Sequence, residues 1–240
     1  LAQGLEIDLV VSLVRMFRLP APEGAPEAWP RAVTVRTLGV FEIRVRGEPL
    51  AFSRKPPLKV LALLKGLLAH GGREVPEAVL CDTLWRDEEG DAGRQALSIT
   101  VLRLRKLLGS SEAVGHLGGK VWLDPRQCWV DAWRFEARIA EPGQPRDLEH
   151  ALSLYQGDFL AGDASEPWTV AYRERLRGKF TAMLGAAGLA LETTGDHARA
   201  LSLYQRGIDA DPIVEPFHRG LMRCYRALDR PTEAVSAFRR

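Results

Sequence analysis

The apolar residues of this chain change period twice between Val33 and Leu123, and that order limits the fold more than any other feature. From Val33 to Val45 the spacing is two: Val33, Val35 and Thr37, then Phe41, Ile43 and Val45, with Thr34, Arg36, Glu42 and Arg44 between them. Successive side chains of a strand point to opposite faces, so this pattern predicts a small antiparallel sheet with one wet face. Gly47-Glu48-Pro49 is a turn signal before Leu50-Ala51-Phe52. From Leu58 the period becomes helical. Leu58 to Leu68 is apolar on most of its circumference and is expected to be a buried central helix, ended by His70-Gly71-Gly72. Pro76 opens a second, short helix from Glu77 to Trp85. An acidic loop, Asp87-Glu88-Glu89-Gly90-Asp91, leads to a third from Arg94 to Leu108, closed by Gly109. Period two then returns on either side of Gly118-Gly119, which predicts a hairpin of Val114–Leu117 and Lys120–Leu123. Cys128 to Val130 is a candidate further strand.

The flanks read differently. Leu5, Leu9, Leu13 and Phe17 have helical spacing, and the Pro-rich run from Pro20 to Pro26 breaks it. Residues 1–19 are therefore expected to be a helix from an upstream region, and 20–30 a linker. From residue 136 onward the chain reads as helical. Ala200, Leu201 and Tyr204 recur 34 residues later as Ala234, Val235 and Phe238, which is tetratricopeptide spacing. The hexapeptide Ala-Leu-Ser-Leu-Tyr-Gln occurs at 151–156 and again at 200–205. Residues 136–240 thus predict an all-α repeat domain, cut short by the end of the sequence. The fold class expected is α+β: a helix-turn-helix with an N-terminal antiparallel sheet and a C-terminal hairpin, followed by helical repeats.

The order strands, three helices, hairpin over residues 31–135 is that of a winged helix-turn-helix. The run Leu97-Ser98-Ile99-Thr100-Val101-Leu102-Arg103-Leu104-Arg105-Lys106-Leu107 resembles the recognition helix of the OmpR-type DNA-binding domain. Val130-Asp131-Ala132-Trp133-Arg134-Phe135-Glu136 looks like the junction to a bacterial transcriptional activator domain, as in the antibiotic-regulatory (SARP-type) activators. The resemblance implies a cytoplasmic, sequence-specific double-stranded DNA-binding regulator, an activator in its family's usage, with no enzyme activity and no cofactor. It also implies that the loop over 86–93, or the helical repeats, can touch RNA polymerase.

Leu97, Val101, Leu104 and Leu108 recur at helical spacing and are assigned to the core. The opposite face then carries Gln95, Ser98, Ile99, Leu102, Arg103 and Lys106, with Arg94 and Arg105 on one flank and Thr100 on the other. A helix fits the major groove of B-DNA, where arginine can pair with guanine and glutamine with adenine. Arg105 and Lys106 come later in the helix, where phosphates are in reach. The family resemblance places Ile99 against a thymine methyl. Lys120 and His116 flank the hairpin tip, which a wing lays on the DNA backbone or in the minor groove. Arg54, Lys55 and Lys59 cluster at the start of the first helix, where cations and free amides suit a phosphate. A single module of this kind reads few base pairs, so two copies on repeated half-sites are expected. The other reading of the same residues is an interaction module: the cations solvate the helix, Ile99 and Leu102 pack on the repeats, and the repeats bind a protein or small molecule.

Charge sorts the segments in the same way. Residues 30–135 carry 17 basic and 12 acidic side chains, whereas residues 136–240 carry 14 and 15. A basic middle segment suits a polyanion. The 3 cysteines are widely spaced and odd in number, which argues against a disulfide framework. No GxxxxGK[ST], GxSxG or HExxH pattern occurs, so neither a phosphate loop nor a hydrolase motif is present. No run approaches the roughly 20 apolar residues of a membrane span.

Overall fold

The computed structural model describes residues 2–17, 19–22, 25, 29–52, 55–86, 88, 90–140 and 145–238. Helix α1 spans Ala2–Phe17. Val14 is its buried apolar residue, while Leu9, Val10, Leu13, Met16 and Phe17 are exposed among those described. The segment after it is tied down at one point: the Ala21 amide donates to the Arg126 carbonyl at 3.0 Å, and the Arg126 guanidinium donates to the Ala21 carbonyl at 3.2 Å.

Strands β1 (Val33–Arg36), β2 (Glu42–Val45) and β3 (Glu48–Pro49) form an antiparallel meander. Their alternation is as the sequence predicts, with Val33, Val35 and Ile43 buried. The sheet as a whole is mixed, however. The strand Cys128–Val130 returns from the far end of the winged helix and pairs parallel to β1, giving the order Glu48–Pro49, β2, β1, Cys128–Val130. The expected antiparallel sheet over residues 33–49 is thus present, and the candidate strand Cys128–Val130 joins it as a parallel neighbour of β1. Cys128 and Val130 are apolar on both sides of Trp129, so a local pattern cannot say which edge they join.

Three helices lie behind the sheet: α2 (Leu58–Ala69), α3 (Glu77–Leu84) and α4 (Gly90–Leu107). Helix α2 buries Leu63, Leu64, Leu67 and Leu68 and is the central helix that its composition predicts. Helix α4 starts four residues before Arg94, so Gly90 to Gly93 form its first turn and shorten the acidic loop. Gly93 is buried and faces Cys81 of α3, where a Cβ would make ordinary contact with the sulfur at 3.7 Å. A two-residue strand β4 (Val75–Pro76) precedes α3 and pairs with the hairpin β5 (Val114–Leu117) and β6 (Lys120–Leu123), which has the predicted bounds. Strand β7 is then Cys128–Val130.

Helix α5 (Asp131–Ala140) starts directly from β7 and is shared by both halves of the chain. Its Asp131 is tied to the sheet, whereas its Phe135 packs against Tyr155 and against Phe180, with ring centroids 5.2 and 6.1 Å away. Five more helices follow: α6 (Pro145–Leu154), α7 (Pro167–Thr193), α8 (His197–Ala210), α9 (Glu215–Ala227) and α10 (Pro231–Phe238). A short 3₁₀ turn, Ala161–Asp163, comes before α7. The Tyr204 ring fills the space between α7 and α9, where a Cβ on Gly188 or Gly220 would lie 2.5 Å from it. In the repeat that the sequence spacing suggests, Ala200 and Tyr204 are buried as expected. Val235 is instead 51% exposed, because no further helix among the described residues covers α10; the Phe238 side chain lies outside the described residues.

The two halves share one hydrophobic core. Leu38 forms an isolated antiparallel bridge with Phe159, the Leu160 amide donates to the Thr37 carbonyl at 2.8 Å, and Lys65 of α2 pairs with Asp163 at 2.7 Å. That ion pair is largely buried on both sides, with side chains 18% and 22% exposed.

Candidate nucleic-acid interface

Helix α4 is divided lengthwise. Leu97, Val101, Leu104 and Leu108 are all buried to 1% exposure or less. Gln95, Ile99, Leu102, Arg103 and Lys106 are exposed and Ser98 is half-buried. Ile99 and Leu102 are 43% and 61% exposed, which is unusual beside so complete a hydrocarbon stripe. No hydrogen bond or ion pair engages the Arg103 or Lys106 side chain among the described residues, so both cations stand ready for a partner.

Four of the expected contacts have other engagements. Thr100 is corrected: it is buried at 6% exposure, and its hydroxyl donates back to the Ala96 carbonyl at 2.7 Å. The flank it occupies therefore turns inward with the leucine stripe. Arg105 is half-buried, and its Nε donates to the Val114 carbonyl at 2.8 Å, fastening the end of α4 to the hairpin. Arg94 pairs with Asp91 at 2.6 Å within the first turns, a bond that raises its already high pKa. Lys120 is exposed and pairs with Glu74 at 2.9 Å. Neither pair is buried, so both can exchange for a phosphate.

The hairpin is braced against α3. His116 Nε2 lies 2.5 Å from Glu77 Oε1, and the Glu77 amide donates to the Gly119 carbonyl at 2.9 Å. Gly118 and Gly119 both have positive φ, at 59° and 74°, the backbone that a two-residue turn of right-handed strands requires. Leu117, next to that turn, is 76% exposed, a feature the sequence reading passed over. Its signal lies in the alternation: Leu117 is three residues from the buried Val114, so it faces the other side of the hairpin.

The remaining candidates are dispersed. Lys59 donates to the Leu84 carbonyl at 2.5 Å and lies over the Trp85 ring at 5.2 Å, so it serves the α2–α3 contact. Lys55 is exposed, and Arg54 lies outside the described residues. Of the loop before α4, Arg86 and Glu88 are exposed, and Asp87 and Glu89 lie outside the described residues. The Cys81 thiol, half-buried behind α4, has its pKa raised first by burial and then by the nearby Glu77 and Asp82 carboxylates. Among the described residues no three His, Cys, Asp or Glu side chains are grouped to hold a metal, and no helix is long and apolar enough to cross a membrane.

Comparison with known proteins agrees with this architecture. Residues 130–240 match the bacterial transcriptional activator domain family. Regulatory protein AfsR of Streptomyces griseus is 26% identical over 204 residues, a match that takes in 80% of this chain and 20% of AfsR. The fold resembles that of Mycobacterium tuberculosis EmbR, solved in complex with a low-affinity phosphopeptide, with a TM-score of 0.62 and 23% identity. That match covers 87% of this chain and 58% of the EmbR chain, so this chain spans only part of either relative. A winged helix with an N-terminal sheet leads directly into helical repeats, and those repeats, from residue 130 onward, are similar to the bacterial transcriptional activator domain.

Proposed function

We propose that this part of the protein binds double-stranded DNA in a sequence-specific way, with α4 in the major groove and the β5–β6 hairpin on the adjacent backbone or minor groove. The observation that carries this reading is the split of α4. Its core side is wholly buried, while Gln95, Ile99, Leu102, Arg103 and Lys106 share an accessible side that nothing described covers. Arg103 is assigned to a guanine edge, Gln95 to an adenine edge, and Ile99 and Leu102 to thymine methyls. Ser98 takes a base edge or a phosphate. Lys106 and Arg94 take phosphates, as does Lys120 once released from Glu74. Arg105 contributes through the guanidinium nitrogens that its bond to Val114 leaves over. Leu117 at the hairpin tip suits the apolar wall of a minor groove.

RNA polymerase contact through residues 86–93 or the helical repeats, and a pair of protomers on repeated half-sites, belong to the same reading. A single module buries a small interface, and a second copy supplies the specificity that one lacks. Selection of bound duplexes from a random library tests both elements together: enriched sites should carry a short motif repeated at a fixed spacing. Recovery of unenriched sequence would overturn the reading.

A further inference from the structure

The wet face of the N-terminal sheet carries a second, chemically distinct feature. A hollow of about 740 Å³ opens over it, lined on the sheet by Arg36, Arg44 and Trp129 and around them by Trp29, Arg31 and Arg138. Strand register builds the floor. Thr34 on β1 lies opposite Arg44 on β2 and beside Trp129 on β7, so the three form a row across adjacent strands on the outward face. Arg36, two residues along the same face, lies opposite Glu42. Glu42 serves both cations, at 4.0 Å from Arg36 and 2.8 Å from Arg44, and no carboxylate lines the hollow among the described residues. The Arg31 guanidinium donates to the Trp29 and Pro125 carbonyls, which fixes it beside the indole. The Trp29 Nε1 is buried without a hydrogen-bond partner among the described residues.

Guanidinium forks match phosphate oxygens two at a time and stack on planar groups, and indole faces accept aromatic rings. The hollow falls within the roughly 300–1,000 Å³ of small-molecule sites. The single Glu42 carboxylate is shared by Arg36 and Arg44, and Arg138 pairs with Asp147 at 3.2 Å, so the two sheet arginines keep an excess of positive charge beside the indoles. We propose that this hollow is an effector site for a phosphorylated aromatic small molecule of the nucleotide class, its phosphates held by Arg36 and Arg44 and its ring against Trp129. Arg138 stands on α5, so a molecule held here touches both the sheet and the helix that begins the helical repeats. The assignment uses none of the side chains given to DNA and stands or falls apart from that reading.

Calorimetric titration of the 240-residue chain with ATP, inorganic triphosphate and adenosine tests it. ATP should saturate a single site, triphosphate should bind about tenfold more weakly, and adenosine more weakly still. Arg36→Ala combined with Arg44→Ala should weaken ATP by about tenfold or more while the unliganded melting temperature holds. Trp129→Phe should keep most of the affinity and change the fluorescence response to ATP. Three results would overturn the proposal: no heat and no thermal shift at millimolar ATP; equal affinity for ATP and triphosphate, which marks an anion patch alone; or displacement of ATP by duplex DNA, which makes the hollow a stretch of nucleic-acid path.

Discussion

The Asp131 carboxylate, at the first residue of α5, receives both the backbone N–H and the hydroxyl of Thr37, with the shortest of these bonds at 2.6 Å. The same carboxylate accepts from the amides of Leu38 and Ala132 at 2.9 and 2.8 Å. A single side chain thereby satisfies donors that β1 leaves behind as it exits the sheet and caps the helix that enters the helical repeats. Asp131→Ala should remove about 3 kcal/mol of stability, because buried donors are left unpaired. Urea unfolding checks this, and a loss under about 0.5 kcal/mol, the range of ordinary surface changes, would contradict the staple. Because this bond set joins the two halves, the variant should also make the winged helix more open to proteolysis at Gly39.

Arg103→Ala and Lys106→Ala should separate two kinds of DNA contact. Loss of a base-edge contact should cost about 1–3 kcal/mol and relax preference at one base pair. Loss of a phosphate contact should weaken all sequences alike and lower the slope of log affinity against log salt by about 1. Fluorescence anisotropy on matched and scrambled duplexes across a salt series reads both. Identical behaviour of the two variants would show that the face is wrongly assigned.

Neighbouring leucines of α4 should behave oppositely. Leu104 is fully buried, and Leu104→Ala should cost about 2–5 kcal/mol of folding free energy. Leu102 is 61% exposed, and Leu102→Ala should stay within about 0.5 kcal/mol of the parent. On duplex DNA the order reverses for the folded fraction, with Leu102→Ala losing affinity. Thermal unfolding and anisotropy on the same samples decide the matter.

Glu192, at the end of α7, accepts from Arg223 Nε and Nη2, each at 2.7 Å, and from the Tyr204 hydroxyl. These bonds favour its ionised form, led by the Arg223 bond, and hold its pKa below the usual 4.5. A carboxyl with a lowered folded-state pKa adds stability that is present above the unfolded value and disappears as pH falls through the folded one. Glu192→Gln should therefore cost about 1 kcal/mol at neutral pH, discounted for the half-exposed Arg223, and the difference from the parent should shrink as pH falls through the lowered folded-state pKa. Paired urea titrations from pH 7 to acid follow it.

Local pattern made the elements readable. The hairpin Val114–Leu117 with Lys120–Leu123, the central helix, and the buried stripe of α4 all follow from side-chain periodicity, which depends only on a residue's near neighbours. The exposed side of α4 was legible for the same reason, apart from Thr100. A flank position is buried or not according to which other elements pack across it, and those are chosen by the fold rather than by the helix's own pattern.

The repeated hexapeptide shows the division most directly. At 151–156 the helix stops at Leu154, whereas at 200–205 the same six residues continue inside α8. In both places the alanine and the tyrosine are buried, with Ala151, Tyr155, Ala200 and Tyr204 at 3% exposure or less. Side-chain polarity thus fixed which residues go inside, and surroundings fixed where the helix ends. In one copy Gly157 follows and packs against Gly39; in the other Gly207 lies within the helix against Phe217.

What the chain's own order of residues determined is the set of elements, their faces and the joining of a winged helix to helical repeats. Only the tertiary structure decided that β7 lies parallel to β1, that α5 belongs to both halves, and that Trp129 stands in one row with Thr34 and Arg44. The physical reason is range. Periodicity and turn chemistry act over a few residues, whereas strand partnership and shared burial are chosen among segments nearly a hundred residues apart, where the hydrogen bonds available to each backbone group are many and the fit of the whole core selects among them.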